Sequence, residues 1–218
     1  MLFLDRSDAG RKLAAALSKY AGDPSVQVLG LPRGGVPVAF EVAQALRAPL
    51  DVFIVRKLGV PSQPELAMGA VASGGVRVLN EEVLAHLGIP PSVVDRVAAI
   101  EQIEIERRER SYREARPAPN LTGKTVILID DGLATGSTMR AAASAVKLQR
   151  PAATVVAVPV AAATTCEVLR GDADDIFCLA TPSQFFAVGQ WYRNFEQTSD
   201  EEVRELLARA ENIRSRAS

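Results

Sequence analysis

Apolar positions along the chain switch between helical spacing and short unbroken runs. From Asp5 to Tyr20, the residues Ala9, Leu13, Ala16, Leu17 and Tyr20 fall on one face, which predicts a helix that Gly22, Asp23 and Pro24 end. Val26 to Leu31 predicts a short buried strand running straight into Pro32-Arg33-Gly34-Gly35. A second helix carries Val38, Val42, Ala45 and Leu46; Pro49 breaks it, and Val52 to Val55 predicts the next buried strand. Such a strand–helix–strand unit closes with a right-handed parallel crossover.

The pattern then loosens. Gly59 to Gly75 is rich in Gly, Pro and Ser, with short strands expected at Met68 to Ala72 and Val76 to Leu79, so the region reads as a loop with a hairpin. Pro90 and Pro91 open a long helix to about Arg113, with Val93, Val97, Ile100 and Ile103 as its apolar stripe. Glu104 with Arg108 and Glu106 with Arg110 are pairs four residues apart, which suits a solvated face. Regular alternation resumes after Pro117 and Pro119. It gives strand Thr125 to Ile129, helix Ser137 to Leu148, strand Thr154 to Val160, helix Thr164 to Leu169 and strand Asp175 to Leu179. Alternation of this kind predicts a parallel sheet covered by helices on both faces. A last helix starts near Ser199, with Asp200, Glu201 and Glu202 matched to its dipole.

Composition narrows the class of function. The 218 residues are 48% apolar, enough for one sizeable α/β domain. Lys and Arg number 25 against 26 Asp and Glu, so no charge excess exists to coat a nucleic acid. No apolar run approaches the roughly 20 residues of a membrane helix, and the start MLFLDRSDAGRK is charged by its fifth residue, unlike a secretory signal. Cys166 and Cys178 stand alone without a CxxC pair or a Cys/His cluster, which leads us to expect two reduced thiols, no zinc and a cytoplasmic protein. His86, the single histidine, lies outside the regular alternation in a short amphipathic segment.

Ligands of an open parallel sheet bind beyond the carboxyl ends of its strands. Three unusual segments are expected there: Pro32 to Gly35, Arg56-Lys57-Leu58-Gly59, and Asp130 to Thr138. The last carries the most information. Thr135-Gly136-Ser137-Thr138 opens a helix, whose free N–H groups and hydroxyls suit a phosphate. The adjacent Asp130 and Asp131 would repel a phosphate but accept hydrogen bonds from vicinal hydroxyls. A ribose 5-phosphate satisfies both halves of the loop.

VILIDDGLATGST, Val126 to Thr138, resembles the signature by which type I phosphoribosyltransferases bind phosphoribosyl pyrophosphate (PRPP). PRGGVPVA resembles that family's pyrophosphate loop, and VRKLG the end of its second core strand. The resemblance covers about Val26 to Val160. It implies a doubly wound, mainly parallel α/β sheet and does not define the N- and C-terminal additions; we expect a single domain over 1–218, with its core at about 24–180, a helical insertion at about 80–116 and a small hood at about 181–218. It further implies transfer of the phosphoribosyl group of PRPP to a nitrogen acceptor such as a nucleobase. Asp130 and Asp131 would serve the ribose. Ala134, Thr135, Gly136, Ser137 and Thr138 would surround the 5-phosphate, and Arg33, Gly34 and Gly35 would take the pyrophosphate with Lys57 near. Mg²⁺ would arrive with the substrate rather than on protein ligands. A closing loop would span Gly59 to Ser73, with Glu65 reaching the acceptor. The family also implies a homodimer, with small molecules rather than nucleic acid or membrane as partners.

One position departs from the enzymes for hypoxanthine and guanine, which carry an acidic residue immediately before Thr-Gly. Here it is Ala134. In SQFFAVGQWYRNF, the rings of Trp191 and Tyr192 either stack on a flat acceptor or anchor the last helix to the core. A PRPP sensor without turnover and a pyrophosphate- or phosphoester-hydrolysing enzyme are the competing functions for the same pocket.

Overall fold

The computed structural model describes residues 3–114 and 116–217. The expectation about the chain start falls partly on Met1 and Leu2, outside the described residues. The chain runs α1 (Arg6–Ala16), β1 (Val26–Gly30), α2 (Gly35–Leu46), β2 (Leu50–Val52), β3 (Val55–Val60), β4 (Gln63–Ala72), β5 (Val76–Leu79), α3 (Glu81–Leu87) and α4 (Pro91–Arg113). It continues with β6 (Thr125–Ile129), α5 (Ser137–Lys147), β7 (Ala153–Val160), α6 (Ala163–Leu169), β8 (Asp175–Ala180) and α7 (Asp200–Ala217).

Five strands form an all-parallel sheet in the order β2-β1-β6-β7-β8. Successive side chains of a strand point to opposite faces. Ile127 and Ile129 of β6 therefore pack with Leu13 of α1, Val38, Phe40 and Val42 of α2, and Leu207 of α7. Val126 and Leu128 pack on the other face with Met139, Ala142 and Val146 of α5 and Leu169 of α6. Covering both faces is what makes β6 and β7 continuous apolar runs. The chain leaves β1 toward β2 on one side and occupies β6, β7 and β8 on the other. The winding thus reverses between β1 and β6, where an open sheet forms its binding crevice.

Four expectations are corrected. The strand expected at Val52 to Val55 is two strands: β2 ends at Val52, and β3 begins at Val55 in a separate antiparallel sheet, β3-β4-β5. Arg56 to Gly59 therefore lies within β3 and not in a loop at the end of the parallel sheet. Much of the closing loop expected from Gly59 to Ser73 is the β3–β4 hairpin, whose backbone groups are satisfied by pairing from Val55↔Ala72 to Val60↔Gln63. Lastly, Cys166 of α6 and Cys178 of β8 form a disulfide, against the expectation of reduced thiols, because α6 packs back over the strand that follows it. The redox argument for a cytoplasmic protein falls with it. Among the described residues, no helix is long and apolar enough to cross a membrane.

Buried polar contacts fix the remaining helices. Arg113 at the end of α4 is 5% exposed and donates through Nε to both Asp51 carboxylate oxygens, at 2.9 and 3.1 Å. It also donates to the Val52 carbonyl at 2.9 Å, joining α4 to the edge strand β2. Arg56 pairs with Glu101 at 2.7 Å and ties the hairpin sheet to the same helix.

Candidate functional site

The crevice is built by two loops side by side. The Leu31 N–H donates to the Ile129 carbonyl at 2.8 Å, so the PRGG turn begins next to the acidic pair that β6 delivers. Space dictates both glycines. A Cβ on Gly34 would overlap the Asp131 carboxylate, and one on Gly35 would stand 2.6 Å from the Ile129 carbonyl oxygen. The Pro32–Arg33 peptide is cis.

Asp130 Oδ1 accepts the Asp131 N–H at 2.8 Å, and Asp131 Oδ2 accepts Arg6 Nε at 2.8 Å. Among the described residues no side chain and no backbone of another residue donates to Asp130 Oδ2 or Asp131 Oδ1. One acceptor oxygen per carboxylate is thus left over, a pair suited to two neighbouring hydroxyls. Burial pushes the Asp130 carboxyl well above the usual carboxylate range, and the charge of Asp131 adds to it. Burial raises Asp131 as well, against the hydrogen bond and charge of Arg6.

Downstream, the loop is pinned to its neighbours. The Leu133 N–H donates to the Val160 carbonyl at 2.9 Å, the Ala162 N–H to the Leu133 carbonyl at 3.2 Å, and the Thr165 hydroxyl to the Ala134 carbonyl at 2.6 Å. Gly136 has φ +69°, and a Cβ there would stand 2.5 Å from Thr165 Cγ2, so backbone conformation and space both select glycine. Thr135, Ser137 and Thr138 are exposed, with the Thr135 and Ser137 hydroxyls 3.2 Å apart. They surround the first turn of α5, whose N–H groups lack intrahelical acceptors. Donors without negative charge collect at this point, which is the chemistry of an anion site.

An open cleft of about 400 Å³ borders the acidic pair. Arg6, Arg33, Gly34 and Asp131 line it together with Val188, Phe195, Gln197 and Thr198. Arg33 lies 3.9 Å from the Asp200 carboxylate, and the Tyr112 hydroxyl donates to that same oxygen at 2.5 Å. Burial, with Asp200 beside it, pushes the Tyr112 phenol up to about 12.

The phosphoribosyl transferase domain model matches residues 62–193, more than half of the chain. The chain belongs to that family. The stretch matched as phosphoribosyl transferase domain contains the acidic loop and TGST, whereas Arg6 and the PRGG turn precede it. A protein of Mycobacterium tuberculosis H37Rv, Rv0571c, provisionally named a phosphoribosyl transferase, is 51% identical over 209 residues, covering 96% of this chain and 47% of its own length. The chain thus spans about half of that relative. A solved structure, TT1426 from Thermus thermophilus, is 44% identical and superposes with a TM-score of 0.86 over 96% of this chain and 99% of the other.

Within this phosphoribosyl transferase domain, the structure brings Arg33, Gly34, Gly35, Asp130 and Asp131 to one crevice, with Ala134 to Thr138 on the adjoining loop. Lys57 and Glu65 are elsewhere, paired with each other at 3.2 Å on the β3–β4 hairpin, where the Glu65 side chain is fully exposed. Neither makes a hydrogen bond or ion pair with Arg33, Asp130 or Asp131. Tyr192 is buried against Phe3 and Phe195, and its hydroxyl donates to the Asp131 carbonyl at 2.5 Å. Its contacts are those of a brace for the acidic loop. Trp191 stacks on Phe185 at 6.5 Å. Sequence reasoning missed Arg6, Val188, Gln197 and Thr198. Arg6 lies 125 positions from Asp131, a distance over which no spacing rule operates.

Proposed function

We propose that the protein transfers the 5-phosphoribosyl group of PRPP to a nitrogen acceptor, with release of pyrophosphate. The observation carrying this reading is the pairing of two unused carboxylate oxygens with a pinned, donor-rich helix start at the winding reversal of the sheet. Asp130 Oδ2 and Asp131 Oδ1 accept from the ribose hydroxyls. The 5-phosphate sits on the N–H groups and hydroxyls of Thr135 to Thr138. Arg33 and the Gly34 and Gly35 backbone face the pyrophosphate. Among the described residues no group of three or more His, Cys, Asp or Glu side chains stands ready to hold a metal. Mg²⁺ belongs in this scheme to the substrate, MgPRPP, where it neutralises the leaving group.

The acceptor nitrogen attacks the anomeric carbon as the bond to pyrophosphate breaks, through an oxocarbenium-like transition state. The Asp131 carboxylate, paired with Arg6, stabilises the positive charge that develops on the ribose, and Arg33 the negative charge that leaves. A nucleobase is the acceptor we favour. Ala134 offers no carboxylate to it, and Val188 gives the cleft wall an apolar contact. The exposed hairpin tip carrying Glu65, with Lys57 beneath it, is the element we assign to closing over the substrate.

Incubation with MgPRPP and a panel of nucleobases and small amines, following pyrophosphate, tests the proposal. Release that requires one acceptor is the expected result. Release with no acceptor identifies hydrolysis, and binding without release identifies a sensor; either overturns the transferase reading.

A further inference from the structure

Arg6, the first residue of α1, has only 13% of its side chain exposed and is held on several sides. Its Nε donates to Asp131 Oδ2 at 2.8 Å and its Nη1 to the Glu196 carbonyl at 2.6 Å, and its guanidinium carbon lies 3.9 Å from the centre of the Phe195 ring. The backbone beside it is zipped to the same segment. The Phe3 N–H donates to the Trp191 carbonyl, the Arg193 N–H to the Phe3 carbonyl and the Asn194 N–H to the Leu4 carbonyl, each within 2.9 Å. Ordering a guanidinium this fully is costly, and among the described residues the one charge it meets at ion-pair distance is Asp131.

We propose that Arg6 is a positioning residue of the ribose site, holding the Asp131 carboxylate oriented and ionised so that Oδ1 is presented to the ribose. The inference rests on reading the acidic loop as a ribose site. Asp131 Oδ2 is turned to Arg6 and lies against Gly34, which leaves Oδ1 as the oxygen available to a ligand. Four groups surround Asp131: Asp130 on its own loop, Arg6 from α1, Arg33 across the cleft, and Tyr192, which holds the Asp131 carbonyl. Burial works against its charge, and the hydrogen bond and charge of Arg6 work for it. Without Arg6, Asp131 moves toward the neutral acid. A neutral acid has given up part of its acceptor capacity and no longer stabilises a positive ribose.

Calorimetric titration of MgPRPP into wild type, Arg6→Gln and Arg6→Lys across mildly acidic to alkaline pH tests this. Arg6→Gln is expected to weaken binding roughly tenfold or more at neutral pH, the scale of one charged hydrogen bond. The deficit should shrink as pH rises and Asp131 ionises again, and Arg6→Lys should recover part of it. Titration of the substrate's own phosphates is common to all three proteins and cancels in the comparison. A purely structural role would weaken binding equally at every pH, so an Arg6→Gln profile parallel to wild type overturns the inference. Should Arg6→Gln not fold, carbon-13 titration of the Asp131 carboxyl in the intact wild type decides, since a protonated Asp131 at neutral pH contradicts the proposal. A wild type that binds MgPRPP at no pH overturns the ribose reading and this inference with it. Binding by wild type with parallel profiles overturns the inference alone.

Discussion

Asp130 carries an electrostatic cost. Its carboxyl is buried beside a second carboxylate, and its folded pKa lies well above the ordinary 3.8. Between those two values the folded protein binds more protons than the unfolded chain. Stability therefore falls as pH rises through that window and stays reduced at neutral pH. Asp130→Asn keeps the Oδ1 that receives the Asp131 N–H and removes the buried charge. We expect it to raise the melting temperature by a few degrees while weakening MgPRPP binding; a lower melting temperature in calorimetry would contradict the electrostatic account. Gly136→Ala tests the adjoining loop. Its φ of +69° costs a non-glycine residue about 1 kcal/mol, and the new Cβ meets Thr165. A lower melting temperature and at least tenfold weaker MgPRPP binding are expected from calorimetry, and wild-type values for both would remove the case for a pinned phosphate loop.

At the scale of elements, the helices and strands that cross the core were legible in the sequence, as was the hairpin expected at Met68 to Ala72 and Val76 to Leu79; the addition of β3 to it as a separate sheet was not. β6 reads as a strand because Val126 to Ile129 is apolar on both faces, and α5 starts at Ser137 where TGST announces a helix. Val52 to Val55 reads as one strand because apolarity continues through Phe53 and Ile54, which are buried in the passage from the parallel sheet to the antiparallel one. Only tertiary pairing divides it. The exposed residues of β4, Gln63 to Leu66, carry no alternation and resemble a loop, yet they extend the hairpin that we assign to closure. Lys57→Ala removes an ion pair at the surface, worth at most about 1 kcal/mol, so stability should hold. If the hairpin closes over bound substrate, kcat falls while the MgPRPP dissociation constant is unchanged. An unchanged kcat would remove the hairpin from the mechanism.

For the whole molecule, the decisive feature is where the sheet reverses its winding. β1 and β6 are neighbours through the register Gly30↔Ile129, although about a hundred residues separate them along the chain. That pairing sets PRGG beside the acidic loop, and the motif order in the sequence anticipated it. The zip between residues 3–6 and 191–196 was not anticipated, because its information lies in backbone bonds and in one arginine without a local pattern. It makes the chain's first helix part of the candidate site. The central claim is that the acidic loop binds the ribose of PRPP, and calorimetric titration of MgPRPP into wild type and the Asp130→Asn/Asp131→Asn double variant addresses it most directly. Saturable one-to-one binding by the wild type, lost in a folded double variant, is the predicted result; equal affinity in both proteins would contradict the assignment.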